Sequence, residues 1–171
     1  KEATAVNITL RGRGLAVKKI WEQATTDYVA YMDVDLSTAL KHFPTLVHTL
    51  GLGYDVAVGN RLLKSSKVYK RTLFREILSR AYSFLVKTCL SVSFSDPQCG
   101  FKAMKTGVAR KLLPQVRNTN WFFDTELLAL AQKQGFRIYE EPVTWEDDPS
   151  SSVEPFKTII EDLLGLFRMS I

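Results

Sequence analysis

The sequence predicts a single α/β domain whose central sheet is mostly parallel. Two short apolar segments, 28–32 and 55–59, have the composition of buried strands, and the segment between them, 42–50, has the periodicity of a helix. Strand, helix and strand in succession are typical of parallel α/β sheets. The composition agrees with a globular domain, because 46% of the 171 residues are hydrophobic and 24% are charged.

The remaining elements follow from local pattern. We predict strands at 6–10, 101–104 and 137–145, and helices at 15–24, 68–90, 107–116, 121–134 and 154–169. In the long helix, an apolar stripe is expected to pack on the sheet, and it consists of Leu73, Ile77, Ala81 and Phe84. The basic flank of this helix is expected to meet a phosphate or a membrane surface. Ser151 and Glu154 have the spacing of a capping box for the last helix. We therefore divide the chain into a domain at 1–152 and a C-terminal amphipathic helix at 153–171.

Two carboxylates, Asp33 and Asp35, follow the first apolar segment directly. Side chains alternate along a strand, so both carboxylates are expected on the same side, with Val34 opposite. Two like charges that close repel each other, and a hard divalent cation is a common way to offset the repulsion. The motif is short, and an acidic loop with Ser37 as a helix N-cap explains it equally well.

A glycine-rich basic segment, Arg11-Gly12-Arg13-Gly14, precedes the first predicted helix. Free backbone N–H groups and the helix dipole at such a position favour a phosphate. The segment matches neither a P-loop nor a dinucleotide-binding fingerprint, so a simple turn with solvated arginines remains an equal alternative.

Cations dominate the segment between Arg61 and Lys87, where Glu76 is the one acid. Such a block suits anionic partners, namely phosphates, anionic lipid headgroups or nucleic acid. Nucleic acid is not expected, because the aromatic residues lie in apolar runs and are not interleaved with the cations. The cysteines, Cys89 and Cys99, suggest no disulfide framework, so a cytoplasmic setting is the default expectation.

Taken together, several motifs resemble those of family-2 glycosyltransferases that act on polyprenyl phosphates, the dolichol-phosphate mannose or glucose synthase group. In addition to the glycine-rich segment, they are Asp33-Val34-Asp35-Leu36-Ser37, Val58-Gly59-Asn60-Arg61, Arg75-Glu76-Ile77-Leu78-Ser79-Arg80, Asp96 with Cys99-Gly100-Phe101-Lys102, and Glu141-Pro142-Val143-Thr144-Trp145. Their order and spacing agree with the family over most of the chain.

The resemblance implies a GT-A-like α/β sandwich and an inverting, metal-dependent transfer of a hexose. The donor would be a nucleotide-diphosphate sugar, and the acceptor would be a polyprenyl phosphate at the cytoplasmic face of a membrane, where the protein would bind peripherally. In this interpretation, Asp33 and Asp35 bind Mg²⁺ or Mn²⁺ and the donor diphosphate, with Asp35 also catalytic. The other implied roles are donor binding for Arg11 and Arg13, acceptor-phosphate binding for Arg61, Arg75 and Ser79, and catalysis at the acceptor side for Asp96.

Three departures from the family pattern bear on these expectations. The opening strand and the Pro-x-Tyr-Asn-Glu segment of the family do not occur in this sequence, so we expect a partial domain. Ser37 replaces a glutamine, and Glu146-Asp147-Asp148-Pro149 follows Trp145 where many relatives have an arginine and a Gly-x-Ser-Lys turn. The alternative from another class is a non-catalytic basic α/β module that binds an anionic membrane or nucleic acid. The sequence predicts neither the sugar nor the oligomeric state.

Overall fold

A computed structural model of the protein describes residues 3–147 and 155–170. The helices are α1 (Arg13–Glu22), α2 (Phe43–Gly51), α3 (Leu73–Leu90), α4 (Thr106–Leu112), α5 (Phe123–Lys133) and α6 (Pro155–Ser170). The strands are β1 (Tyr28–Met32), β2 (Val56–Asn60), β3 (Lys67–Tyr69), β4 (Phe101–Lys105), β5 (Ile138–Pro142) and β6 (Thr144–Glu146). Two short 3-10 helices, Leu40–His42 and Leu113–Gln115, complete these elements.

The main sheet has the strand order β1-β4-β2-β5. Strand β4 is antiparallel to both β1 and β2, whereas β2 is parallel to β5. Three of the four strands therefore run in the same direction, which confirms the mostly parallel sheet. Strands β3 and β6 form a second, two-stranded parallel sheet beside it.

Helices cover both faces of the main sheet, as an α/β sandwich requires. Alternating residues of β2 show the two faces, because Val56 and Val58 belong to the larger core cluster and Ala57 to the smaller one. The larger core includes residues of α1, α3, α4, α5 and α6, and the smaller core is closed by Leu46 and Leu50 of α2. All five residues of β2 are buried, which explains why the strand is apolar up to Asn60, whose buried amide donates to Ser95 and Glu140.

The prediction of a strand at 6–10 is wrong. These residues form no strand, and Val6 and Leu10 are exposed. Alternation of side chains does not make a strand without a neighbour that accepts its backbone hydrogen bonds, and among the described residues none pairs with this segment.

The long helix begins later than predicted, at Leu73 instead of residue 68. Its first predicted turn is strand β3, which pairs with β6, and Lys70 then adopts a left-handed backbone with φ of 57°. Thr72 caps the helix, since its hydroxyl oxygen accepts a hydrogen bond from the Arg75 N–H at 3.3 Å. The predicted strand at 137–145 is likewise divided at Val143, so that β5 and β6 belong to different sheets.

The apolar stripe of α3 does not pack on the sheet, contrary to prediction. Leu73 is 75% exposed and Phe84 is 68% exposed, whereas the helix buries Ser83, Val86 and Leu90. The helix thus has apolar side chains on two faces, and the more conspicuous stripe in the sequence is the one at the surface.

Helix α6 packs on the domain. Leu166 belongs to the larger core, and Gly165 lies so close to Phe122 that a Cβ atom there would overlap the ring. The predicted capping box, Ser151 and Glu154, and the proposed boundary at 152 lie outside the described residues. Over the ranges that the structure describes, no helix is long and apolar enough to cross a membrane.

Candidate active site

A cleft of about 750 Å³ brings most of the sequence-predicted site residues together. The predicted residues that line it are Arg13, Asp33, Asp35, Arg61, Arg75 and Ser79. Its other walls include apolar side chains of α3 and α6, such as Leu78, Leu85 and Leu163. The cleft therefore combines carboxylates, guanidinium groups and an apolar surface in one cavity.

Asp33 and Asp35 lie in a tight turn after β1. The predicted strand geometry is wrong at this point, because β1 ends at Met32. The N–H of Leu36 donates to the Asp33 carbonyl at 3.1 Å, and Leu36 has a left-handed φ of 52°. The N–H of Ser37 donates to Asp35 Oδ1 at 3.0 Å. Both carboxylates still line the cleft, so a turn achieves what strand alternation was expected to do.

Gly100 gives the Asp33 side chain the space that it occupies. The N–H of Asp33 donates to the Gly100 carbonyl at 2.9 Å, and a Cβ atom at residue 100 would overlap the Asp33 carboxylate. Only glycine permits this approach, which gives the Cys99-Gly100-Phe101-Lys102 motif a physical reason. Cys99 is buried, and burial, together with Asp96, raises the pKa of its thiol to about 11.

A buried charge network holds Asp33 from behind. Arg13 donates from Nη2 to Asp33 Oδ1 at 2.9 Å and from Nη1 to Asp124 Oδ2 at 3.0 Å. Lys102 Nζ lies 2.9 Å from Asp124 Oδ1, and Tyr31 donates its hydroxyl hydrogen to the same carboxylate. Burial raises the pKa of Asp33, and the charges of Arg13 and Lys102 partly oppose that rise.

Tyr31, Lys102 and Asp124 received no role in the sequence analysis. Lys102 and Asp124 each expose 1% of their side chains. A charge buried to this extent has to be paired, and the sequence signal for it was a lysine in the middle of an apolar strand segment. Its partner lies 22 residues further along the chain, so no local pattern could have identified it.

The glycine-rich segment has a structural explanation. A Cβ atom at Gly12 would approach the Thr119 carbonyl oxygen to 2.6 Å, and one at Gly14 would overlap the ring of Phe123. The N–H of Leu15, in the first turn of α1, already donates to the Thr119 carbonyl at 2.9 Å. Arg13 points into the cleft, whereas Arg11 is exposed and is not among the cleft-lining residues. Donor binding by Arg11 remains a prediction.

Arg61 is fixed by Asp96. The guanidinium donates from Nε and Nη2 to the two carboxylate oxygens, each at 2.8 Å, and the Arg61 backbone N–H donates to Oδ2 at the same distance. Asp96 is buried behind the guanidinium. Although burial opposes its charge, Arg61 holds the pKa of Asp96 below its ordinary value. Asp96 is not among the cleft-lining residues and contacts the cleft residue Arg61, so catalysis by Asp96 remains a prediction.

Arg75 and Ser79 also have partners within the protein. Arg75 Nη1 donates to both carboxylate oxygens of Asp147, at 2.6 and 2.7 Å. Ser79 Oγ accepts a short hydrogen bond from Arg71 Nη2, and Arg71 also lines the cleft. The guanidinium groups of Arg61, Arg71 and Arg75 therefore line the cavity together with that of Arg13.

The residues predicted to bind a divalent cation are Asp33 and Asp35. In the described ranges, no group of three or more His, Cys, Asp or Glu side chains could hold a metal ion. Mg²⁺ is commonly bound by one or two carboxylates together with water and substrate phosphates. Two carboxylates in an open cleft fit a cation that a bound diphosphate helps to hold.

Comparison with known proteins identifies the family. Residues 6–113 match the description "Glycosyl transferase family 2". The glycosyltransferase AglD of Haloferax volcanii is 38% identical over 156 residues, which cover 91% of this chain and 24% of that protein. A dolichyl-phosphate beta-glucosyltransferase of Dictyostelium discoideum is 32% identical over 165 residues, 93% of this chain and 50% of the relative. The chain thus spans half or less of the length of these two relatives.

Solved structures of glucosyl-3-phosphoglycerate synthase from Mycobacterium tuberculosis are similar in fold. The complex with phosphoglyceric acid has a TM-score of 0.64 at 16% identity, over 95% of this chain and 57% of that one. The complex with uridine diphosphate has the same TM-score at 17% identity. This likeness confirms the GT-A-like fold, and the sequence match shows that the chain belongs to glycosyltransferase family 2.

Proposed function

We propose that the chain forms the catalytic domain of an inverting glycosyltransferase that moves a hexose from a nucleotide-diphosphate sugar to a polyprenyl phosphate. The observation that carries this proposal is the single cleft in which paired carboxylates, four guanidinium groups and an apolar wall meet. A relative named as a dolichyl-phosphate beta-glucosyltransferase supports the acceptor class.

The donor would bind beside Asp33 and Asp35 in the cleft. Asp33 and Asp35 would hold Mg²⁺ or Mn²⁺, which when bound would offset the charge of the departing nucleoside diphosphate. Arg13 fixes the orientation of Asp33 through the ion pair at 2.9 Å and is itself anchored on Asp124. We assign donor binding to Arg11 as well, on the family resemblance.

The acceptor phosphate would bind to Arg61, Arg75 and Ser79. Guanidinium groups pair with phosphate oxygens through two parallel hydrogen bonds, which fixes direction as well as distance. Asp96 holds Arg61 in place with both of its carboxylate oxygens, so we assign Asp96 a positioning role at the acceptor side. Asp147 occupies Nη1 of Arg75, so the phosphate would bind Arg75 through Nε and Nη2.

The reaction needs little acid–base assistance. A phosphate monoester carries a charge of about −1.5 to −2 near neutral pH, by analogy with phosphorylated side chains. One of its oxygens would attack the anomeric carbon as the bond from that carbon to the diphosphate breaks. The family resemblance implies inversion at that carbon. The protein's main contribution would be to orient the two anions and to offset their charge.

The acceptor lipid requires that the cleft reach a membrane. The exposed stripe of α3 lies beside α6, which exposes Ile160, Leu164 and Phe167. Apolar side chains that line the cleft come from the same two helices, so a lipid tail could pass from the phosphate site to a bilayer along them. We therefore propose peripheral binding to a membrane surface, on its cytoplasmic face.

Replacement of Asp35 by Asn tests the proposed function. The change removes a charged oxygen ligand and conserves volume, so we expect the fold to persist and metal-dependent transfer by the full-length enzyme to fall by at least ~100-fold. Asp27→Asn, at an exposed carboxylate before β1, is the matched control. Transfer of radiolabelled hexose to a polyprenyl phosphate is the measurement. Full transfer by Asp35→Asn in the presence of Mn²⁺ would contradict the assignment.

A further inference from the structure

We propose that Arg71 is a third phosphate-binding guanidinium, which contacts the acceptor phosphate together with Arg61. The inference rests on the proposed function and adds a residue to its site. None of the motifs that carry the family resemblance contains Arg71, which lies in the connection between β3 and α3.

Trp145 contacts the guanidinium groups of both Arg61 and Arg71. The Cζ atom of Arg61 lies 5.3 Å from the centroid of the Trp145 ring, and the Cζ atom of Arg71 lies 5.7 Å from the same centroid. Cations within about 6 Å of an aromatic face are attracted by its electron density. All three side chains line the cleft, so the two guanidinium groups are positioned at the cavity wall.

The charge of Arg71 is poorly compensated, in contrast to that of Arg61. Its side chain is 7% exposed, and its Nη1 atom lies 3.1 Å from Glu76 Oε2 but makes no hydrogen bond to any described residue. Glu76 is shared with Arg80, whose Nε lies 2.6 Å from Oε1. Burial and the nearby charge of Arg61 lower the pKa of Arg71, although the charges of Glu76, Asp96 and Asp147 oppose that fall. A phosphate in the cleft that contacts both guanidinium groups would offset their mutual repulsion.

The surrounding surface indicates which anion binds. Arg71 donates to Ser79 Oγ, and Ser79 lies on α3 beside Leu78, which lines the apolar wall of the cleft. A phosphate monoester with an isoprenyl chain has the charge and the apolar tail that this end of the cleft requires. The donor diphosphate is expected at Asp33 and Asp35, so binding of the donor diphosphate and of the acceptor phosphate can be tested separately.

The test compares Arg71→Met with Arg80→Met in the full-length protein. Both arginines pair with Glu76, but Arg80 is exposed and is not among the cleft-lining residues. Calorimetric titration with farnesyl phosphate should show binding that is about 10- to 100-fold weaker for Arg71→Met, as expected when one charge-assisted contact is lost. Arg80→Met should bind farnesyl phosphate like the wild type. Binding of nucleoside diphosphates with Mn²⁺ should be unchanged in both variants.

A second variant keeps the inference testable if Arg71→Met does not fold. Arg71→Lys retains the charge but has no guanidinium. The Nε–H signal that is present in the NMR spectrum of the wild type and missing in that of Arg71→Lys therefore belongs to Arg71. That signal should shift when farnesyl phosphate is added and should not shift with a nucleoside diphosphate. Equal binding of farnesyl phosphate by wild type and Arg71→Met, or an unmoved Nε–H signal, would overturn the role of Arg71 alone. A wild-type protein that binds nucleoside diphosphates but no farnesyl phosphate would overturn the proposed acceptor as well.

Discussion

At the scale of single residues, the site depends on close approaches as much as on charges. Asp33 occupies its position because residue 100 has no side chain, and the Asp33 carboxylate fills the space where a Cβ atom would lie. A methyl group at that position has to displace either the carboxylate or the loop that carries it.

Replacement of Gly100 by Ala should therefore lower both hexose transfer and stability, unlike a Gly-to-Ala change at a position with free space. We expect hexose transfer by the complete enzyme to fall by at least ~10-fold, with a loss of about 1–3 kcal/mol in the free energy of unfolding from overpacking. Gly107→Ala is the control, because no atom lies within 4 Å of a Cβ atom there and the residue is in α4. That change should stabilise the fold by about 0.4–1 kcal/mol. Normal transfer by Gly100→Ala would show that the Asp33 position is not constrained as described.

The sequence predicted the cleft carboxylates and cations better than it predicted the residues that pair with them. Asp33, Asp35, Arg61 and Arg75 were identified from short motifs, and all of them line the cleft. Their protein partners come from distant parts of the chain, as the 111-residue separation of Arg13 and Asp124 illustrates. A local pattern shows that a charged residue is present, but it does not show which charge compensates it.

At the scale of elements, periodicity gave the type of most helices and strands but not the direction in which α3 faces. Its helical repeat is present, yet Leu73 and Phe84 are at the surface and Val86 is in the core. Apolar periodicity identifies an amphipathic face, and neighbouring elements decide whether protein or another phase covers that face. The strand predicted at 6–10 was wrong for a related reason, since pairing partners cannot be read from one segment.

Helix α6 carries a buried acid, Asp162, whose titration should be visible in stability. Asp162 Oδ2 accepts a hydrogen bond from Gln98 Nε2 at 2.8 Å, whereas Oδ1 is buried and has no hydrogen-bond partner among the described residues. Burial raises the pKa of this carboxyl group to about 7, and Glu161 adds to the rise. The folded state thus binds a proton that an unfolded chain releases at its ordinary pKa of 3.8.

The sign of the expected pH dependence follows from that difference. Because the folded state binds more protons, stability is highest below the unfolded pKa and falls as the pH rises from about 4 to about 7. The Asp162 contribution to this fall is on the order of 4 kcal/mol. Asp162→Asn should be more stable than the wild type by about 1–2 kcal/mol at pH 5 and by about 4 kcal/mol at pH 8, whereas Asp27→Asn should follow the wild type. Denaturant unfolding at both pH values is the measurement, and parallel behaviour of Asp162→Asn and wild type would contradict it.

At the scale of the whole molecule, the proposed membrane contact involves the apolar wall of the cleft and the exposed side chains of α3 and α6. Two of the arginines that would receive the phosphate, Arg71 and Arg75, lie at the start of the helix that exposes Leu73 and Phe84. This arrangement relates the position of the chemistry to the position of the membrane, since a polyprenyl tail cannot leave the bilayer. The basic side chains of α3, among them Arg80 and Lys87, would face anionic headgroups.

Removal of the exposed apolar side chains should therefore release the protein from membranes. We expect the complete catalytic domain to co-sediment with anionic vesicles, less so as salt increases, because each Lys or Arg near the surface contributes about 1 kcal/mol of screened attraction. The double variant with Ile77→Asp and Phe84→Asp should remain mostly in the supernatant, since charges replace two exposed apolar side chains that are expected to enter the bilayer. Leu52→Asp, at an equally exposed apolar residue after α2, should pellet like the wild type. Equal pelleting of the double variant and the wild type would show that another surface binds the bilayer.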